Sequence, residues 1–137
     1  MKIKKIFQKL FKNTFYIFFK LIYGKITFDI NNKDVKILKL ENFDFKEQVY
    51  IFKNASVIIS AHGAGLANLC FSSKNCKVIE IKPSKPGYAH QNKVYEKISQ
   101  INNLDYMLYS TPYKIDEKSN GDIFVNTKVL NDCLNGL

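Results

Sequence analysis

A chain of 137 residues is the length of one domain and long enough to bury a single core of ordinary size. Its 46% hydrophobic and 24% charged content excludes a disordered or collagen-like chain and a polytopic membrane protein. The net charge of +9 comes from 21 lysines and no arginine against 12 acids, and a basic chain without guanidinium forks is poorly suited to sequence-specific nucleic-acid recognition.

The basicity is concentrated at the start. Residues 1–25 hold Lys2, Lys4, Lys5, Lys9, Lys12, Lys20 and Lys25 and no acid, which leaves 14 lysines against 12 acids, a balance of +2, for residues 26–137. Ile3, Ile6, Phe7, Leu10, Ile17 and Leu21 recur at helical spacing with Lys5, Lys9 and Lys12 mostly opposite, so the spacing predicts a basic amphipathic helix over 1–25. Its longest uncharged run, residues 13–19, falls far short of the ~20 apolar residues of a membrane span. Lys9 and Lys12 interrupt the apolar region a secretory signal needs. The stripe has two readings, an interfacial helix on an anionic membrane surface or ordinary packing against protein, of which packing is the commoner fate.

The next elements alternate in type. Residues 35–40 read as a short strand and residues 45–53, with Val49, Ile51 and Phe52, as a short helix. Ser56-Val57-Ile58-Ile59-Ser60 is β-branched, nearly uniformly apolar and short, as a strand covered on both faces should be. A brief helix is predicted over 66–71, a second buried strand over 77–81, and a turn-rich stretch over 83–87. Val94, Tyr95 and Ile98 place a helix in 91–100; residues 104–109 read as a further strand, 119–121 as a loop and 126–134 as a last helix. Short buried strands alternating with helices predict an α/β domain over 26–137, a parallel sheet with flanking helices.

Ligands of such sheets bind at the carboxyl ends of the strands. That directs attention to Ala61-His62-Gly63-Ala64-Gly65, between a buried strand and a helix, and to Glu80 near the end of the next strand. Glycines there let backbone approach a ligand closely, and the N–H groups of a helix start favour a phosphate oxygen. His62 can donate to the same phosphate or orient the loop from behind. Asn68 falls about one turn after Gly65, and Glu80 is an isolated acid that can accept from a ribose hydroxyl or pair with a lysine such as Lys82.

Several chemistries compete for this loop. Gly63-x-Gly65-x-x-Asn68 nearly matches a dinucleotide-binding turn, but Asn stands where the third glycine should, and 66–71 is short for a crossover helix. An esterase oxyanion loop is set aside because no G-x-S-x-G nucleophile elbow occurs. Cys70, Cys76 and Cys133 form no CxxC pair, and an odd count without a secretory signal predicts reduced thiols in a cytoplasmic setting. His62, Cys70, Cys76 and His90 match no common zinc spacing.

The third chemistry is a sugar-nucleotide site. Glu47-Gln48 opening a helix, the apolar strand, His62-Gly63-Ala64-Gly65-Leu66-Ala67-Asn68, Phe71 soon after, and Val78-Ile79-Glu80 together resemble the C-terminal half of glycosyltransferase family 61, over about residues 35–109. The resemblance implies an inverting, metal-independent transferase of GT-B architecture with two Rossmann-like halves, the C-terminal one, a Rossmann-like parallel sheet with flanking helices, holding a nucleotide-sugar donor. By position, His62 and the Gly63, Ala64 and Gly65 backbone would face the diphosphate, Glu80 the ribose, and Asn68 and Gln48 would shape the pocket. Bacterial members are associated with capsular and surface polysaccharide synthesis, which implies a glycan acceptor and a cytoplasmic enzyme near the inner membrane face. No cofactor beyond the donor is implied.

Family enzymes also carry an N-terminal half that supplies much of the acceptor site. With 34 residues ahead of the resemblance, the expectation is a donor-binding half, truncated or encoded apart from its partner, that transfers no sugar alone. No carboxylate can be assigned as catalytic base, and His62 is a candidate for which a phosphate-side role is preferred. The alternative is a non-catalytic nucleotide-binding module or a membrane-associated interaction module; a redox enzyme is a third possibility, which an NADH titration would separate.

Overall fold

The computed structural model describes residues 15–18, 35–84, 93–112 and 125–135. Among them, β1 (Phe15–Phe18), β2 (Val35–Leu38), β3 (Val57–Ala61), β4 (Lys77–Ser84) and β5 (Asp105–Pro112) form one parallel sheet in the order β2-β1-β3-β4-β5. The fold is α/β, as the alternation of elements predicts. In this doubly wound order the chain reverses its direction of travel across the sheet between β1 and β3. Both flank the reversal in register, Phe15 opposite Val57 and Phe18 opposite Ser60.

The strand at β1 corrects the expectation of one helix over residues 1–25. Phe15-Tyr16-Ile17-Phe18 sits in the uncharged run of 13–19, and an aromatic, β-branched run suits a sheet with neighbours on both sides. Helical spacing picks out Ile17 alone within this strand and passes over Phe15, Tyr16 and Phe18. Residues 1–14 and 19–25, the predicted loop at 119–121 and His90 lie outside the described residues.

Helix α1 (Phe45–Asn54) begins where its sequence closes a capping box. Asp44 Oδ1 accepts from the Glu47 N–H and Glu47 Oε2 from the Asp44 N–H, each at 2.9 Å. The helix buries Ile51 and Phe52. These join Ile58 of β3 and Val78 of β4 in a core with Leu66, Leu69, Cys76 and Leu104. Val57, Ile59, Ile79 and Ile81 are buried as well, so β3 and β4 are covered on both faces.

The brief helix predicted over 66–71 is a 3₁₀ segment spanning Ala64–Phe71. Strand β4 continues into the stretch expected to turn, reaching Ser84. The reason is register. The Lys77 N–H donates to Ser56 O and Ile81 O accepts from the His62 N–H, so odd-numbered residues of β4 direct their backbone groups at β3. Pro83 falls on that side beyond Ala61, the last residue of β3, so its missing N–H costs no ladder bond.

Helix α2 (Val94–Ile101) stops at Asn102-Asn103, with Asn103 in the left-handed region at φ 54° and the Leu104 N–H returning to Ser99 O at 2.8 Å. Helix α3 (Thr127–Asn135) is capped by Asn126, whose Oδ1 accepts from the Lys128 and Val129 N–H groups at 3.1 and 3.3 Å. Among the described residues no helix is long and apolar enough to cross a membrane.

Candidate functional site

The loop that follows β3 leaves the carboxyl edge of the sheet beside the reversal between β1 and β3, where open α/β sheets form their ligand crevice. His62 is the first residue past the strand. Its backbone N–H is held by Ile81 O at 2.8 Å, which ties the start of the loop to β4. Gly63 is extended, with φ 171° and ψ 171°, a conformation open to any residue. Glycine there is required by neither backbone angle nor packing, since an added Cβ would meet nothing nearer than Ala61 O at 3.9 Å. Gly65 differs: a Cβ on it would lie 2.9 Å from Leu40 Cδ1, so this glycine lets the loop pack close against Leu40.

The 3₁₀ segment starts directly in the loop. Its first internal bond runs from the Leu66 N–H to Gly63 O at 3.0 Å, and the Ala64 and Gly65 N–H groups come ahead of it, at the positively polarised end of the segment. Gln48 and Asn68 meet across the base of the loop. Asn68 Nδ2 donates to Gln48 Oε1 at 3.0 Å, while Gln48 Nε2 donates to Leu40 O and Phe43 O, each at 3.0 Å. Gln48 is therefore a clamp joining α1, the turn before it and the 3₁₀ segment.

Glu80 points inward. Its side chain is 1% exposed, Oε1 is hydrogen-bonded to His62 Nδ1, and Oε2 accepts from the Tyr106 hydroxyl at 2.5 Å. Neither partner is Lys82. Strand register explains the arrangement. Ser60 pairs with Glu80 and Val78 with Tyr106, so Glu80 shares a sheet face with His62 ahead of it and Tyr106 diagonally behind. Burial first, then the hydrogen bond and charge of Glu80 and the charge of Glu96, holds the Tyr106 phenol above its ordinary range, keeping it a donor. Tyr95 of α2 lies against the His62 ring at 5.3 Å between centroids and 60° between planes; burial and then Glu80 raise its phenol too.

The structure thus brings together His62, Glu80, Tyr95 and Tyr106 as one group and Gln48 and Asn68 as another, with Gly63, Ala64 and Gly65 between them in the chain. Tyr95 and Tyr106 were not legible as site residues. Tyr95 reads as one apolar position of a helix, and Tyr106 joins the site only through the register of β4 and β5. Among the described residues no three His, Cys, Asp or Glu side chains converge to hold a metal; Cys70 is exposed and Cys76 buried.

A family model described as Glycosyltransferase 61 matches residues 4–79, more than half of the chain. The chain belongs to glycosyltransferase family 61. The match includes β1, the Gln48–Asn68 clamp and the whole loop from His62 to Asn68, and it begins well ahead of the resemblance at 35–109. Residues of the basic N-terminal segment are thus part of the family 61 region. Glu80 and Tyr106 lie beyond the matched stretch. The chain is also 35% identical over 71 residues to beta-1,2-xylosyltransferase RCN11 of Oryza sativa subsp. japonica, an overlap covering 52% of this chain and 13% of that relative.

Proposed function

We propose that this chain is the donor-binding part of a family 61 glycosyltransferase of GT-B architecture, holding the diphosphate of a nucleotide sugar whose sugar passes to a glycan acceptor with inversion and without a metal. The observation that carries this reading is the loop itself. At the crevice position of a doubly wound sheet, the Ala64 and Gly65 N–H groups precede the first bond of the 3₁₀ segment, next to a glycine whose side-chain position is open. In this reading a phosphate oxygen meets those N–H groups, His62 donates from its ring, and Gln48 with Asn68 holds the loop's far end.

Sugar transfer as the reaction class follows the family and the xylosyl-transferring name of the rice relative. The overlap spans 13% of that relative; in this proposal the chain as given binds donor without turning it over. A bacterial surface polysaccharide as acceptor, a cytoplasmic site and contact of the basic N-terminal segment outside β1 with the inner membrane face belong to the same proposal. The test is calorimetric titration of the full chain with the common nucleoside diphosphates and with NADH. At least one nucleoside diphosphate should bind, and His62→Ala should weaken it at least tenfold. Binding of NADH alone, or of no nucleotide, defeats the reading.

A further inference from the structure

Three side chains from neighbouring parts of the sheet form a hydrogen-bonded series that donor binding alone does not account for. Glu80 is an acid buried among apolar residues, which is costly unless its oxygens are satisfied. Both are: the Tyr106 hydroxyl takes Oε2 and His62 Nδ1 takes Oε1. With a donor fixed on each oxygen, the carboxylate has one rotational setting. A histidine that gives Nδ1–H to a carboxylate keeps Nε2 as its second working nitrogen. The edge contact with Tyr95 fixes the plane of the ring, and the ring remains 23% exposed at the loop.

We infer that Tyr106 is a positioning residue of the donor site: acting through Glu80, it locks His62 in the Nδ1-protonated tautomer and presents Nε2 to the diphosphate. The inference rests on the donor-site reading above. A diphosphate requires donors, so the bound ring is the imidazolium, with Nδ1–H on Glu80, Nε2–H on a phosphate oxygen and the buried carboxylate offsetting the new positive charge. Tyr106 touches no ligand in this arrangement. Its hydroxyl leaves Glu80 a single free oxygen to offer the ring.

The test is nitrogen-15 NMR of the histidine rings in the full chain, with calorimetric titration of inorganic pyrophosphate. The sequence has two histidines, and His90→Gln assigns the spectrum. At pH 8 the free His62 ring should show the Nδ1–H tautomer; with pyrophosphate bound, both nitrogens should be protonated. Tyr106→Phe should give mixed tautomers and bind pyrophosphate roughly three- to tenfold more weakly, the size of one ordinary hydrogen bond. Glu80→Gln, whose amide has one acceptor oxygen for the two donors that the carboxylate serves, should give mixed tautomers and bind more weakly. If Tyr106→Phe does not fold, the wild-type spectrum still decides, because an Nε2–H ring there overturns the inference. An Nδ1–H ring in a wild type that binds no pyrophosphate defeats the donor-site reading and with it the purpose given to Tyr106. Undiminished binding by a folded Tyr106→Phe protein overturns the positioning role alone.

Discussion

The side-chain amides of Asn68 and Gln48 meet at 3.0 Å although 20 residues separate them, and Gln48 spends both of its amide hydrogens on the carbonyls of Leu40 and Phe43. One amide thus satisfies three polar groups around the half-buried base of the loop. Gln48→Ala takes a partner from each, although Leu40 O keeps the Phe43 N–H, with an expected loss of about 1–3 kcal/mol of stability. Gln48→Glu should be at least as costly, since it sets a carboxylate against two carbonyl oxygens. Urea unfolding checks both, read as a fall in midpoint at constant slope. An unchanged midpoint in Gln48→Ala would show that the clamp contributes nothing to the fold.

The capping box at the start of α1 is exposed. Asp44→Ala removes the cap of the Glu47 N–H and should cost about 1 kcal/mol. Because the Asp44 side chain bonds only Glu47 among the described residues, and its carbonyl, which accepts from the Gln48 N–H, is kept in alanine, nucleotide affinity measured on the folded variant should be that of the wild type. Circular dichroism melting and one titration suffice, and a large loss of affinity would mean that α1 positions the loop more tightly than its contacts indicate.

Much of this fold is written locally. Ser56 to Ser60, Val78 to Ile81 and the Val94-Tyr95-Ile98 spacing each identify their element because period and burial agree within a few residues. The failures occur where a distant partner decides. Phe15–Phe18 is a strand because the sheet places β2 and β3 on either side of it, and Pro83 extends β4 because β3 has already ended there. The site divides in the same way. His62, Gly65 and Asn68 are visible in one contiguous motif, whereas the inward turn of Glu80 depends on Tyr106, which enters through strand register with no local mark.

The two glycines of the loop should separate folding from binding. Gly65→Ala puts a Cβ 2.9 Å from Leu40 Cδ1, the far end of a flexible side chain, so a modest loss of about 1 kcal/mol is expected. Leu40→Ala should recover part of that loss in the double variant, because it removes the atom that collides. Gly63→Ala meets open space and an extended backbone, so its melting temperature should be unchanged. If Gly63→Ala is stable yet loses nucleotide affinity, the glycine serves close approach of the ligand. If it is both stable and fully competent, the ligand does not lie against Gly63.

Cys76 supplies a pH dependence of known sign. Burial pushes its thiol from 9.0 up to about 12, so the folded state keeps a proton that the unfolded chain releases from pH 9 upward. Stability from this group is complete below pH 9 and is lost progressively between pH 9 and about 12. The Tyr106 phenol, also raised on folding, acts in the same direction above pH 10. Unfolding free energy should therefore fall across this alkaline range, and Cys76→Ala should make the fall shallower while lowering stability at pH 7 through the cavity it leaves. Alkylation gives an independent check: at pH 8 the exposed Cys70 should react with iodoacetamide in the native protein, and Cys76 only after denaturant is added. Rapid native labelling of Cys76 would show that the core formed by α1, the 3₁₀ segment and β4 opens far more readily than its packing allows.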